Sequence, residues 1–305
     1  MQALGDKEMF ISVILPIMII FAAGFIAQKI FNLDIKSIST TAIYLLFPPL
    51  VFRTFYDNPL DLNYLYILLY SVALTGILII MIKVIGLWRK YPDDKQNALV
   101  LSVGFMNNGN YGIPLVIFAY GVGGLYYIIP IMIIHTIIQV SVGVYYATKG
   151  KTSFKSILSN IAKMPMMHAV YLGMIWGIFS LPMHESMYGA INLVADAAVP
   201  IVMLALGMQL AEIKVKNIEW ELVSLAVFLR LAASPVIALL IVWQLPIDIL
   251  LKKIMILAAA TPTAAVSSML AIQYDCNPQL VSAITLITTI LSMGSILIVL
   301  LLLGG

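Results

Sequence analysis

Apolar stretches of about 20 residues recur along the whole chain, which is the length a helix needs to cross a bilayer. The pattern predicts ten spans, near 9–31, 37–55, 64–88, 98–121, 125–148, 165–181, 187–210, 220–243, 250–274 and 278–303. The polar connectors between them are short and leave no room for a separate soluble domain. Two of the stretches are interrupted. The fourth carries Gly104-Phe105-Met106-Asn107-Asn108-Gly109-Asn110-Tyr111-Gly112-Ile113-Pro114 where its middle should be. The ninth carries Thr261-Pro262-Thr263. Lipid offers no hydrogen-bond partners, so irregular backbone at that depth must be buried in protein or face a cavity. Both stretches are therefore expected to be broken helices.

The halves of the chain echo each other. Pro48-Pro49 in the second stretch is answered by Pro200 in the seventh, and Pro114 in the fourth by Pro262 in the ninth, at offsets of about 150 residues. Five spans is an odd number, so the second half must enter the membrane from the opposite side. The expected organisation is a first repeat over residues 1–150, a linker over 151–164 and a second, inverted repeat over 165–305. In the linker, Phe154, Ile157, Leu158 and Ile161 follow helical spacing with Lys155, Ser159 and Lys163 off that face, as in a helix lying on a membrane surface.

Composition places the fold among all-α polytopic membrane proteins. Of 305 residues, 62% are hydrophobic and 10% charged, against about 25% charged in soluble domains. Eleven lysines and arginines, from Lys29 and Lys36 to Lys214 and Lys216, fall in the loops after odd-numbered spans, and four fall opposite. This asymmetry puts the odd loops in the cytoplasm and both termini outside. The basic residues are spread over loops and form no nucleic-acid patch. The first residues have no basic n-region, so the first stretch is expected to stay as a span and not to be cleaved as a signal peptide. The single cysteine, Cys276, excludes an intramolecular disulfide framework and a cysteine metal cluster.

Candidate chemistry gathers at the two breaks. A broken helix presents an N-terminus with partial positive charge and a C-terminus with partial negative charge. The second half-helices are expected to start near Gly112 and Thr263, and their free backbone N–H groups suit a carboxylate. The expected substrate-binding residues are Asn107, Asn108, Gly109, Asn110, Gly112 and Pro114 from the fourth stretch, with Thr261, Pro262 and Thr263 from the ninth. Asn107 and Thr261 are also the candidates for a sodium site. Arg230 and Asp196 are buried-charge candidates, read first as a stabilising ion pair and second as a proton relay or anion attractor. His135 and Gln139, one turn apart, read as interhelical hydrogen-bonding groups. No His-Glu-x-x-His, Gly-x-Ser-x-Gly or phosphate-binding loop is present, and Tyr274-Asp275 is only a weak echo of an intramembrane aspartyl protease. The chain is not expected to be an enzyme or to hold a cofactor.

Asn107-x-Gly109-x-x-Gly112-x-Pro114-Leu115 resembles the fourth-span motif of the auxin efflux carrier family, in its branch of bacterial permeases. Pro200 to Gly207 followed by Gln209-Leu210 is similar to that family's seventh span, and Pro262 to Tyr274 followed by Leu286 to Ser292 is similar to its last two spans. The resemblance implies a multi-pass plasma (inner) membrane protein similar in fold to sodium–bile acid symporters. Spans 1, 2, 6 and 7 would form a scaffold, and spans 3–5 and 8–10 a mobile transport domain. It implies a small organic anion as substrate, since relatives export indole-acetate or move dicarboxylates such as malate and malonate. Proton or sodium coupling and a homodimer stay open, as do the rival readings of a sodium-coupled symporter and of a channel or receptor. The long cytoplasmic loop of plant members is missing here, so regulation through it does not carry over.

Overall fold

A computed structural model describes residues 8, 10–58, 61–213 and 218–304. The expectations for Lys7, Met9, Lys214, Lys216 and Gly305 lie outside the described residues. The chain forms helices α1 (Phe10–Phe31), α2 (Ile35–Asp57), α3 (Leu62–Arg89), α4 (Asp93–Val103), α5 (Ile113–Tyr120), α6 (Val122–Ala147), α7 (Phe154–Ala162), α8 (Pro165–Ile178), α9 (Glu185–Glu212), α10 (Trp220–Trp243), α11 (Ile249–Ala259), α12 (Ala265–Gln273) and α13 (Pro278–Leu303).

Seven of these, α1, α2, α3, α6, α9, α10 and α13, are long and apolar enough to cross a membrane. The fourth and ninth stretches fall short because each is two half-helices, α4 with α5 and α11 with α12, separated by non-helical backbone. The sixth, α8, has 14 residues, or about 21 Å at 1.5 Å per residue. Its last turn unwinds through Phe179 into Ser180, which is left-handed at φ 47°. Several long helices carry a widened π-helical turn: Ala42–Leu46 in α2, Gln139–Gly143 in α6 and Leu229–Ala233 in α10. In α2 that turn ends at Leu46, with Phe47 between it and Pro48-Pro49, where proline rings cannot follow an undistorted helical turn.

The helices sort by packing. α1 lies along α9, and α2 lies between α8 and α9. Lipid tails are as apolar as leucine, so close backbone approach matters more than burial in such contacts. Glycine supplies it here. A Cβ on Gly24 of α1 would sit 2.2 Å from the carbonyl oxygen of Leu204 in α9, and one on Gly207 would sit 2.1 Å from that of Phe21. In α8, Gly173 and Gly177 bring the helix onto the carbonyls of Phe52 and Tyr56 of α2 in the same way. The remaining helices pack among themselves, with α3 on α6 and α10, α10 on α11, and α13 on α4, α10 and α12. The interrupted segments lie inside this second group and face α2 and α9 of the first.

The linker does form a short helix, α7, capped by Ser153 Oγ accepting from the Ser156 amide at 3.2 Å. Phe154 and Leu158 are exposed on it, and Ile157 and Ile161 are half-buried.

Candidate functional site

α4 ends at Val103 and α11 at Ala259. The two stretches of backbone that follow run past each other antiparallel, with Met106 opposite Thr263. The Asn107 amide donates to the Pro262 carbonyl at 2.9 Å, and the Ala264 amide donates to the Phe105 carbonyl at 3.0 Å. Each break therefore satisfies the other's backbone, as buried irregular chain requires. Threonine hydroxyls complete the repair. Thr261 Oγ1 donates to the Ala258 carbonyl at 2.7 Å, and Thr263 Oγ1 to that of Ser102 at 2.7 Å. Pro262 has no amide to satisfy, and its neighbours cover the carbonyls freed by the break.

After the breaks the chain turns helical again. On one side a π-helical turn, Asn108–Gly112, leads into α5, with the Asn110 amide donating to Asn107 Oδ1 at 3.3 Å. On the other α12 starts at Ala265 with no side-chain cap. The second α-helices thus start at Ile113 and Ala265, near Gly112 and Thr263 as expected, while helical backbone in the fourth stretch begins earlier, with the π-helical turn at Asn108. Asparagine at the N-cap offers its side chain to the first free amides, which explains the earlier start in the fourth stretch.

A cavity of about 220 Å³ lies between these two N-termini and the facing sides of α2 and α9. Its walls include Asn107, Asn108, Gly109 and Asn110, Ala264 to Val266, Phe47 of α2, and Val202 and Gln209 of α9. From α6 come Met132, His135, Thr136 and Gln139. Besides Gln209, whose Oε1 is an unpaired acceptor, three of these side chains are buried and still have hydrogen-bonding atoms without a partner among the described residues. They are Asn107 Nδ2, Asn108 Nδ2 and both ring nitrogens of His135. Buried polar groups are normally paired, so a cluster of unpaired ones around a cavity marks what the cavity lacks. The helix starts and amide groups are donors, and a His ring nitrogen is a donor in one tautomer.

The predicted residues divide accordingly. Asn107, Asn108, Gly109 and Asn110 line the cavity. Gly112, Pro114, Thr261, Pro262 and Thr263 do not: they form the crossing and the start of α5 behind it. The two proposed sodium ligands are both engaged, Asn107 Oδ1 by the Asn110 amide and Thr261 Oγ1 by Ala258 and, at 3.4 Å, Asn108 Oδ1. Among the described residues no group of three or more His, Cys, Asp or Glu is placed to hold a metal ion.

The expected Arg230–Asp196 pair does not form. Asp196 is exposed and pairs at 2.8 Å with Arg53 of α2, which also donates to Asn192 Oδ1 at 3.3 Å. α9 lies against α2, so the basic residue of α2 is within reach of Asp196, whereas Arg230 sits in α10 and binds backbone carbonyls. Gln139 behaves as expected, donating to Ser267 Oγ of α12 at 3.1 Å. His135 does not, since it bonds to no other helix among the described residues and faces the cavity. Its position one turn before Gln139 was visible in the sequence; its lack of a partner was not.

A second cavity, about 640 Å³, lies between the same helix groups further along. Arg53, Asp57, Asn192 and Asp196 line it from α2 and α9, and Ile117, Leu125 and Tyr126 from α5 and α6.

Comparison with known proteins agrees with a transport role. The profile of a family described as membrane transport protein matches residues 9–157 and 151–300. An uncharacterized transporter of Methanothermobacter thermautotrophicus is 26% identical over 299 residues, covering 96% of this chain and 97% of its own. Another uncharacterized transporter, of Methanocaldococcus jannaschii, is 26% identical over 297 residues, covering 92% and 94%. The chain belongs to the membrane transport protein family, that of the auxin efflux carriers, and is a multi-pass membrane transporter.

Proposed function

We propose that this protein is a secondary transporter of small organic anions, and that the crossing of its two broken helices is the binding site. The observation that carries this is the set of unpaired buried donors, Asn107 Nδ2, Asn108 Nδ2 and His135, around a cavity into which two helix N-termini open. Helix N-termini favour anions through free amides and the helix dipole together. The carboxylate sits between Gly109–Asn110 and Ala265–Val266, with the asparagine amides and His135 donating to it. The cavity volume lies below the roughly 300–1,000 Å³ of drug-sized sites, so the substrate is small.

The cavity walls include no lysine or arginine and are rich in methionine, with valine and phenylalanine beside it. A second carboxylate would be desolvated there without a partner, which is costly. We therefore favour a monocarboxylate with an apolar body over a dicarboxylate. The sodium-coupled rival is disfavoured because no carboxylate lines the cavity to balance a bound cation.

The mechanism is alternating access. α1, α2, α8 and α9 act as the scaffold, and the helices carrying the crossing move against them. The chain then counts as ten spans in two inverted repeats of five, with α4–α5 and α11–α12 as the corresponding broken spans. The antiparallel pairing of Met106 with Thr263 supports that correspondence. Both termini lie outside the cytoplasm.

Thermal unfolding of the purified protein with indole-3-acetate, butyrate and malonate tests the reading. Ligand at a hundred times its dissociation constant stabilises by about 2.7 kcal/mol. Indole-3-acetate is expected to raise the melting temperature more than malonate. Equal stabilisation by uncharged indole would remove the carboxylate from the reading, and stabilisation by malonate alone would reverse the substrate class.

A further inference from the structure

Arg230 lies on the π-helical turn of α10 and is wholly buried. Its Nη1 donates to the Val103 carbonyl at 2.7 Å. Its Nη2 donates to the Ala259 carbonyl and to Ser234 Oγ, and Ser234 in turn donates to Ala259 at 2.9 Å. Val103 is the last residue of α4 and Ala259 the last of α11. One side chain thus joins the C-terminal ends of both interrupted helices. Among the described residues no carboxylate is within ion-pairing distance of it.

A buried charge without a counter-ion is costly, and the helix ends supply what a carboxylate would. Each C-terminus carries about half a negative elementary charge and each N-terminus about half a positive one. Two of each cancel, so the guanidinium leaves the crossing with about one positive charge in all. Its planar fork reaches two carbonyls at once, which an ammonium cannot do. The negative ends are thereby covered, and the positive ends at Asn108 and Ala265 face the cavity uncompensated.

We propose that Arg230 is a positioning residue for the anion site. It ties α4 to α11 and cancels their C-terminal dipoles, acting on the bound carboxylate through the two helix breaks and not by contact. It also fills a place built like a cation site, since carbonyls at half-helix C-termini are what such sites use. This rests on reading the crossing as an anion site.

The test separates charge from packing. Methionine and lysine have similar length, but only lysine restores charge. Arg230→Met leaves the Val103 and Ala259 carbonyls without their guanidinium donor, so it is expected to fold but melt lower than wild type, and, having lost the charge that covers the helix C-termini, to bind indole-3-acetate about tenfold more weakly. Arg230→Lys should retain more of the affinity than Arg230→Met even if it melts lower. Arg230→Ala should melt lower than wild type and recover both stability and affinity with millimolar guanidinium, but not with choline. Undiminished affinity in Arg230→Met overturns the proposal, as does a guanidinium effect no larger in Arg230→Ala than in wild type. If the variants do not accumulate, the wild type decides. Replacing choline by sodium at constant ionic strength should leave its melting temperature unchanged, and sodium-specific stabilisation overturns the proposal. Should wild type bind no carboxylate, the anion reading fails, while guanidinium rescue of Arg230→Ala stability still reports on Arg230 by itself.

Discussion

Asn107 and Asn108 stand side by side at a helix start and do different work. Asn107 spends its oxygen on the Asn110 amide and its backbone amide on Pro262, so it builds the break as well as facing the cavity. Asn108 Oδ1 takes only a 3.4 Å bond from Thr261. Asn107→Ala is therefore expected to lose a cap worth about 1 kcal/mol of stability as well as substrate affinity. Asn108→Ala should lose affinity with little change in melting temperature. The lost bond to a charged ligand is worth about 1.5–3 kcal/mol, or tenfold and more in dissociation constant. His135→Phe, which keeps the ring and removes both nitrogens, belongs with Asn108→Ala. Ligand titrations followed by thermal shift would expose the error if His135→Phe bound as wild type does. The asparagines were legible in the sequence because amides in an apolar stretch have few innocent explanations. His135 was not, since a histidine on a buried helix usually has a partner, and only coordinates reveal that it has none. Arg230 was misassigned for a related reason. Charge matching along a sequence looks for carboxylates, and its partners turned out to be carbonyls.

At the scale of the helix, the positions of the breaks could be read and their extent could not. Glycine, asparagine and proline marked the fourth and ninth stretches, but α4 stops at Val103, several residues before the first asparagine. It can stop there because Arg230 takes the Val103 carbonyl and Thr263 takes that of Ser102, and neither partner is near in sequence. Pro262→Ala adds an amide hydrogen and removes the ring, which lets α11 continue towards α12. We expect the variant to insert and fold but to lose most transport in proteoliposomes. Full transport would mean that the break is not needed. The glycine contacts between α1 and α9 make a second prediction. In Gly207→Val the new Cβ meets backbone, not a movable side chain, and overpacking of this kind costs about 1–3 kcal/mol. Gly189→Ala, on the same helix with open space around it, should be neutral or slightly stabilising. Equal melting temperatures for the two would contradict the close packing of α1 on α9.

Across the whole molecule the two cavities are arranged along the same pair of helices. On α9, Asn192 and Asp196 line one cavity and Val202 and Gln209 the other. On α2, Arg53 and Asp57 line one and Ser39 and Phe47 the other. From residue 192 to residue 209 is about 25 Å of helix at 1.5 Å per residue, most of the roughly 30 Å of a bilayer's apolar layer. The cavities should therefore open to opposite sides of the membrane, with Phe47 and the crossing between them. The apolar stretches foretold the spans but not this, because which faces of α2 and α9 are left uncovered depends on how α8, α5 and α6 pack. The prediction uses single cysteines in a Cys276→Ala background, since the native thiol is buried. Thr136→Cys lines the first cavity and Asn192→Cys the second. A membrane-impermeant maleimide applied to sealed vesicles of known orientation should label one variant from inside and the other from outside. A bound carboxylate that shifts the population between states can do so only by binding one more tightly. If indole-3-acetate is that ligand, it should slow labelling at one position while speeding it at the other, because closing one mouth opens the other. Labelling of both cysteines from a single side would rule out the two-mouthed arrangement, and parallel slowing at both would favour simple occlusion over alternating access.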